Sequence, residues 1–226
     1  MATAYFITGT DTDAGKTWVT CALMQAAAAQ GITSVGYKPV SAGCEQTPQG
    51  LRNSDALSLQ RHCQPELAYD AVNPIAFADP VAPHLAARRQ GVTIDMPTLV
   101  DGLDALCALQ TDIVWVEGAG GWRLPLSGNG YLSDLAIARQ LPVIMVVGMK
   151  LGCLNHAVLT AEAIRQDGLT LAGWIANDVD PTMLYHQDNI DTLHELLPAP
   201  CLGHVPHVSS TAEAASYLND LDWLRA

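Results

Sequence analysis

Six short runs of the chain are apolar almost without interruption: residues 4–9, 34–40, 112–117, 142–148, 170–176 and 201–205. Two of them, "IVWV" and "VIMVV", lack the in–out alternation of a strand with one wet face, so they read as strands covered on both sides. Longer segments of helical spacing lie between the runs, at about 16–30, 54–63, 95–109, 131–140, 154–167, 186–197 and 211–224. The alternation predicts an α/β fold: a doubly wound, mostly parallel sheet with helices on both faces. Residues 64–94 carry prolines at 65, 74, 80 and 83 and fit neither pattern. They are expected to form a surface excursion. No repeat or low-complexity segment breaks the chain, and a single domain over residues 1–226 is expected.

Size agrees with this reading. A compact fold of 226 residues buries roughly 70% of its unfolded surface and needs no disulfides. The six cysteines show no CxxC pair, so reduced thiols in a cytoplasmic protein are expected. No apolar run reaches the ~18 residues of a membrane span, and the first residues lack the basic start of a signal peptide. The net charge of −12 argues against nucleic acid or an anionic membrane as a partner. Only three lysines occur, Lys16, Lys38 and Lys150, each just past a strand-like run. Ligands of open parallel sheets sit outside the carboxyl ends of the strands, so the three suggest one electropositive crevice in an acidic protein.

"GTDTDAGKTW", residues 9–18, follows the first strand and opens the first helix. That is the setting of a phosphate-binding loop, but with five residues rather than four between the glycines. Backbone N–H groups of 13–17 would face the phosphates, where the helix dipole also favours anions. Lys16 would reach the β- and γ-phosphates, and the Thr17 hydroxyl would bind Mg²⁺. The extra residue leaves Thr10, Asp11, Thr12 and Asp13 as a lip. Glu117, ending "IVWVE", stands where an acid for Mg²⁺ is needed. Asp55 either joins it or only favours a helix N-terminus behind an Asn53 or Ser54 cap.

"GTDTDAGKT", "GYKPV", "GLRNSDAL", "VEGAGGW", "PVIMVVGMKLGCLNHAVLTAEAI" and "LAGWIANDV" together resemble the dethiobiotin synthetase family over most of residues 5–179. That family uses the expanded phosphate loop. The resemblance implies a P-loop NTPase-like homodimer that uses ATP and Mg²⁺. It closes the cyclic urea of dethiobiotin from 7,8-diaminopelargonate and CO₂, through a carbamate and a carbamic–phosphoric anhydride. It also implies that Lys16, Lys38 and Thr12 serve the chemistry. Mg²⁺ would lie on Thr17, Asp55 and Glu117. Asp13, Ala14, Gly15, Lys16, Thr17 and Trp18 would hold the nucleotide phosphates, with Gly118, Ala119 and Gly120 nearby. Asn177 and Asp178 would meet the adenine, in a pocket completed by Pro206, His207 and Val208. Thr12, Lys38, Ser41 and Gly118 would contact the diamine. Gly152, Cys153, Leu154 and Asn155 would hold its carboxylate at a helix start near the dimer interface.

Two departures stand out. The family reads Lys-Pro-Val-x-Ser-Gly where this chain has "KPVSAG", so Ser41 precedes the expected position and Ala42 fills it. A family tyrosine beyond residue 180 falls on Asn189 by counting, with Tyr185 nearby. Lys150 is left between an active-site role and an interface ion pair. The seven histidines show no HxH or HExxH pattern and are expected to be ordinary surface or capping residues. His204 and His207 are further candidates for stacking on the base. The rival reading is a P-loop ATPase switch of the partitioning type, but the loop has no additional lysine before Lys16 and the C-terminal segment is acidic.

Overall fold

A computed structural model describes residues 1–128, 130–218 and 220–225. The chain begins with β1 (Thr3–Gly9), α1 (Lys16–Ala29), β2 (Ser34–Tyr37), β3 (Val40–Ser41), β4 (Glu45–Thr47) and β5 (Gly50–Arg52). It continues with α2 (Ser54–His62), α3 (Tyr69–Val72), β6 (Ile75–Ala76), α4 (Pro83–Gln90), α5 (Met96–Cys107) and β7 (Ile113–Gly121). The last elements are α6 (Ser133–Ala138), β8 (Val143–Met149), α7 (Cys153–Gln166), β9 (Leu171–Asp178), α8 (His186–Leu196), β10 (Cys201–Val205) and α9 (Thr211–Ala215). A 3₁₀ turn, Asp222–Arg225, follows.

Six strands form one sheet in the order β10-β9-β8-β1-β7-β2, with every pairing parallel. They are the six apolar runs. The central strands β1 and β8 are buried along nearly their whole length, which is why their sequences do not alternate. From β1 the chain passes to β2 and β7 on one side, then returns to β8 on the other. The crevice at this reversal of direction is where a ligand is expected. β7 runs four residues past its predicted end, so Glu117 lies inside the strand, paired in register with Ile7.

Two expectations need correction. Residues 64–94 are not merely a surface excursion: Tyr69, Val72, Phe77, Ala86, Ala87 and Ile94 join the same buried cluster as the sheet. The prolines misled because they start or border short elements, as Pro83 does at the first turn of α4. The helix expected over 211–224 stops at Ala215; Asn219, within that span, lies outside the described residues. Ser210 caps the helix through Glu213, but turns follow. They bring Trp223 edge-on against Tyr5, which itself stacks on Trp115. Burying an aromatic ring on the sheet wins over continued helix there.

Candidate active site

The phosphate loop is shaped by its last residues. Gly15 caps α1 with φ +84° and no side-chain cap, so the first-turn N–H groups are left for a ligand. A side chain at Gly15 would also collide with the amide of Asn177. That amide donates to the Ala14 carbonyl at 3.0 Å, tying the end of β9 to the loop. Asp13 adopts φ +61°, and Ala14 is fully buried against Gly148.

Behind the loop lies a buried charge cluster. The Lys38 ammonium donates to Glu117 Oε1 at 2.6 Å, to Asp55 Oδ2 at 3.2 Å and to the Gly118 carbonyl at 3.2 Å. Lys38 is 4% exposed and Glu117 0%. Burial pulls the Lys38 pKa down, but Glu117 and Asp55 outweigh it and the net shift is upward, so the amine stays charged. Among the described residues Lys16 has no carboxylate in hydrogen-bonding contact; its ammonium donates to the Asp11 carbonyl at 3.5 Å. Burial, and then the like charge of Lys38, bring its pKa down to about 8.

The two carboxylates suit Mg²⁺. Thr17 Oγ1 donates to Glu117 Oε1 at 2.7 Å, while Glu117 Oε2 is buried with no partner. A buried orphan acceptor is costly and asks for a cation or donor. Thr17, Asp55 and Glu117 are all hard oxygen donors, as Mg²⁺ prefers. The sequence left Asp55 either as a Mg²⁺ ligand or as a first-turn acid behind an Asn53 or Ser54 cap. In the structure Asn53 caps α2, accepting from Asp55 N and Ala56 N, and the Asp55 carboxylate reaches Lys38 instead.

Two cavities gather most of the predicted residues. The larger, about 610 Å³, is lined by Thr12, Asp13, Gly15, Lys16, Thr17, Trp18, Lys38, Ser41, Asp55, Ala119 and Gly120. The smaller, about 270 Å³, is lined by Trp18, Asn177, Asp178, Val179, Pro206, His207 and Val208. Trp18 borders both. Gly152, Cys153, Leu154 and Asn155 line neither. The Cys153 N–H there is already spent on the Lys150 carbonyl. Lys150 pairs with Asp11 at 3.2 Å, which links this helix start to the lip of the phosphate loop.

Sequence reasoning missed Asn73 and the wall Pro80–Pro83. Asn73 is 2% exposed. Its Nδ2 donates to the Lys38 carbonyl at 2.6 Å, and its Oδ1 accepts from Ser41 Oγ at 2.7 Å and Tyr69 Oη at 2.9 Å. Ser41 thus spends its hydroxyl on Asn73 rather than on the cavity. The sequence signal was an Asn–Pro pair, which reads as a turn. Asn73→Ala should cost about 1–3 kcal/mol, the penalty for leaving buried partners unsatisfied. Urea unfolding checks this; an unchanged midpoint would remove the hub role.

Known proteins resemble this chain over most of its length. The AAA domain family model matches residues 3–215. The ATP-dependent dethiobiotin synthetase BioD of Pseudomonas aeruginosa (strain UCBPP-PA14) is 54% identical over 212 residues, 94% of this chain and 93% of its own. BioD 1 of Escherichia coli (strain K12) is 51% identical over 222 residues, 97% of this chain and 98% of its own. Among solved structures, the cell division ATPase MinD of Pyrococcus furiosus superposes with a TM-score of 0.59 at 16% identity, covering 100% of both chains. The MinC:MinD complex of Aquifex aeolicus gives 0.58 at 16%, covering 99% of this chain and 94% of that one. At such identity these two speak to the fold alone. The sequence likeness is far greater and spans nearly the whole chain: it belongs to the ATP-dependent dethiobiotin synthetase family.

Proposed function

We propose that this chain closes the cyclic urea of dethiobiotin from 7,8-diaminopelargonate, CO₂ and ATP, with the residues of the two cavities in the following roles. The observation that carries the reading is the convergence of Lys16, Thr17, Lys38 and Asp55 on one cavity at the sheet's reversal point, with the buried Glu117 carboxylate behind it bonded to both Thr17 and Lys38. One amine of the substrate captures CO₂ as a carbamate, and a carbamate oxygen attacks the γ-phosphorus, breaking its bond to the β–γ bridging oxygen, releasing ADP and forming the carbamic–phosphoric anhydride. Two anions must meet, so the task is positioning and charge stabilisation. Lys16 takes the β- and γ-phosphate charge. Lys38 and Thr12 hold the carbamate. The second amine then attacks the carbamoyl carbon and expels phosphate. Asn177, Pro206, His207 and Val208 flank the base. Mg²⁺ on Thr17, Asp55 and Glu117 would offset triphosphate charge as a Lewis acid.

The test is incubation with ATP, Mg²⁺, bicarbonate and the diamine. Phosphate release that requires the diamine supports the ligase; release without it supports a partitioning-type switch. A second test uses Lys16. With a pKa of about 8 in the free protein, it is charged below that pH both with and without nucleotide. Above pH 8 the free lysine loses its proton, and a bound triphosphate must recover it. Affinity is therefore flat below pH 8 and falls above it, by up to about tenfold per pH unit. Calorimetry at pH 9 in buffers of different ionisation enthalpy should show proton uptake approaching one per site; none would sink this role.

The chain is further proposed to work as a homodimer. Leu151, Leu159, Leu184 and Tyr185 are exposed at 95%, 55%, 79% and 78%, and they lie on α7, its approach and the entry to α8, two helices that pack together. Four exposed large apolar side chains in one region fit a covered face. The adjacent Gly152–Asn155 segment would then complete its carboxylate site across the interface. Sedimentation checks this: a monomer at working concentration would overturn it. No helix among the described residues is long and apolar enough to cross a membrane.

A further inference from the structure

Asp178, His186 and His204 come together from three elements: the end of β9, the first residue of α8 and the next-to-last residue of β10. No sequence spacing announces this group. The parallel register sets His204 opposite Ala176, and Tyr185, held at φ +52°, turns the chain so that His186 starts the helix. Both imidazoles aim Nε2 at one carboxylate oxygen, Asp178 Oδ1, at 2.6 Å for His186 and 2.9 Å for His204. Their ring centres are 5.2 Å apart. The donor atoms all lie within 4.8 Å of one another, and the group is partly open to solvent.

We propose that these three side chains form a second metal site, for a borderline transition ion of the Zn²⁺ class and distinct from the Mg²⁺ site. Two imidazole nitrogens and one carboxylate oxygen, with an open face for water, match the preference of Zn²⁺ and Co²⁺ and are a poor match to Mg²⁺. An ion would replace the two N–H donors now converging on Oδ1, with only a small parting of the side chains. The strongly acidic chain favours a cation. Asp178 also lines the smaller cavity, so the ion would pin α8 and β10 to the strand that carries Asn177. In this proposal His186 and His204 serve as ligands, in place of the surface or capping role expected of the histidines and of the base stacking also considered for His204, which does not line the smaller cavity.

Equilibrium dialysis with zinc, in saturating Mg²⁺ to fill the hard-oxygen site, tests this. Wild-type protein should bind one zinc. The double variant His186→Ala, His204→Ala should lose at least the ~10–100-fold in affinity that follows removal of even a supporting group, with an unchanged circular dichroism spectrum. Co²⁺ should give a visible spectrum of nitrogen–oxygen ligation without a sulfur charge-transfer band, since six free thiols are the competing ligands. If the double variant misfolds, His204→Ala alone is read by the same spectrum, whose visible bands should weaken. No zinc on wild-type protein, affinity unchanged in the variant, or a thiolate band would each overturn the proposal.

Discussion

Lys38→Ala is expected to lose at least about 10²–10³ in turnover, the usual cost of one preorganised charge-stabilising donor, while nucleotide binding stays measurable. The phosphate loop and the Asn177–Ala14 bond do not depend on Lys38, while Lys16, freed of that like charge, holds its proton more firmly. The proposed carbamate contact does depend on Lys38, because no other ammonium sits between Asp55 and Glu117 among the described residues. The variant also leaves Glu117 buried with Thr17 as its remaining partner. Mg²⁺ with nucleotide should therefore raise its melting temperature more than it raises that of the wild type. Single-turnover phosphate release beside nucleotide titration separates the two effects. Normal turnover in the variant would remove Lys38 from the chemistry.

Glu117→Ala should be the most destabilising single change in the site. It strips a buried ammonium of its shortest partner, leaving Asp55 at 3.2 Å with its side chain 44% exposed. Removing one side of a buried ion pair costs about 3–5 kcal/mol. At ~2–4 °C per kcal/mol for a chain of this size, the melting temperature should fall on the order of 10 °C. Activity should vanish as well, since Thr17 and Lys38 meet at this carboxylate, which is also a proposed ligand of Mg²⁺. Calorimetry decides: a shift of a degree or two would mean that Asp55 and the Gly118 carbonyl suffice to hold Lys38.

Much of this was legible from the sequence, for reasons that differ between parts. The six sheet strands could be read because burial on both faces leaves unbroken apolar runs such as "VIMVV". The meeting of Thr17 with Glu117 could be anticipated because Lys16 and Thr17 follow a strand and a glycine-bearing turn at a helix start, while Glu117 closes a second apolar run just before glycines. What stayed hidden depends on contacts distant in sequence. Asn73 stands 35 residues from the carbonyl it holds, inside a segment whose prolines spoke of turns. The pairing of His186 with His204 is set by strand register, which no local pattern encodes. The early end of α9 reflects Trp223 packing on Tyr5, a competition that helical spacing does not record. Asp55 was ambiguous because a carboxylate at a helix start looks the same whether it stabilises the helix or faces a cation.

The scarcity of lysine has a practical corollary. Lys16 and Lys38 are 7% and 4% exposed, whereas the Lys150 side chain is 35% exposed. Amine-acylating reagents too bulky for the cavity that Lys16 lines should thus attach at residue 150 and the α-amino group, sparing the interior pair. The label at residue 150 places its dye or bifunctional linker beside Leu151, on the very surface through which two copies are proposed to meet.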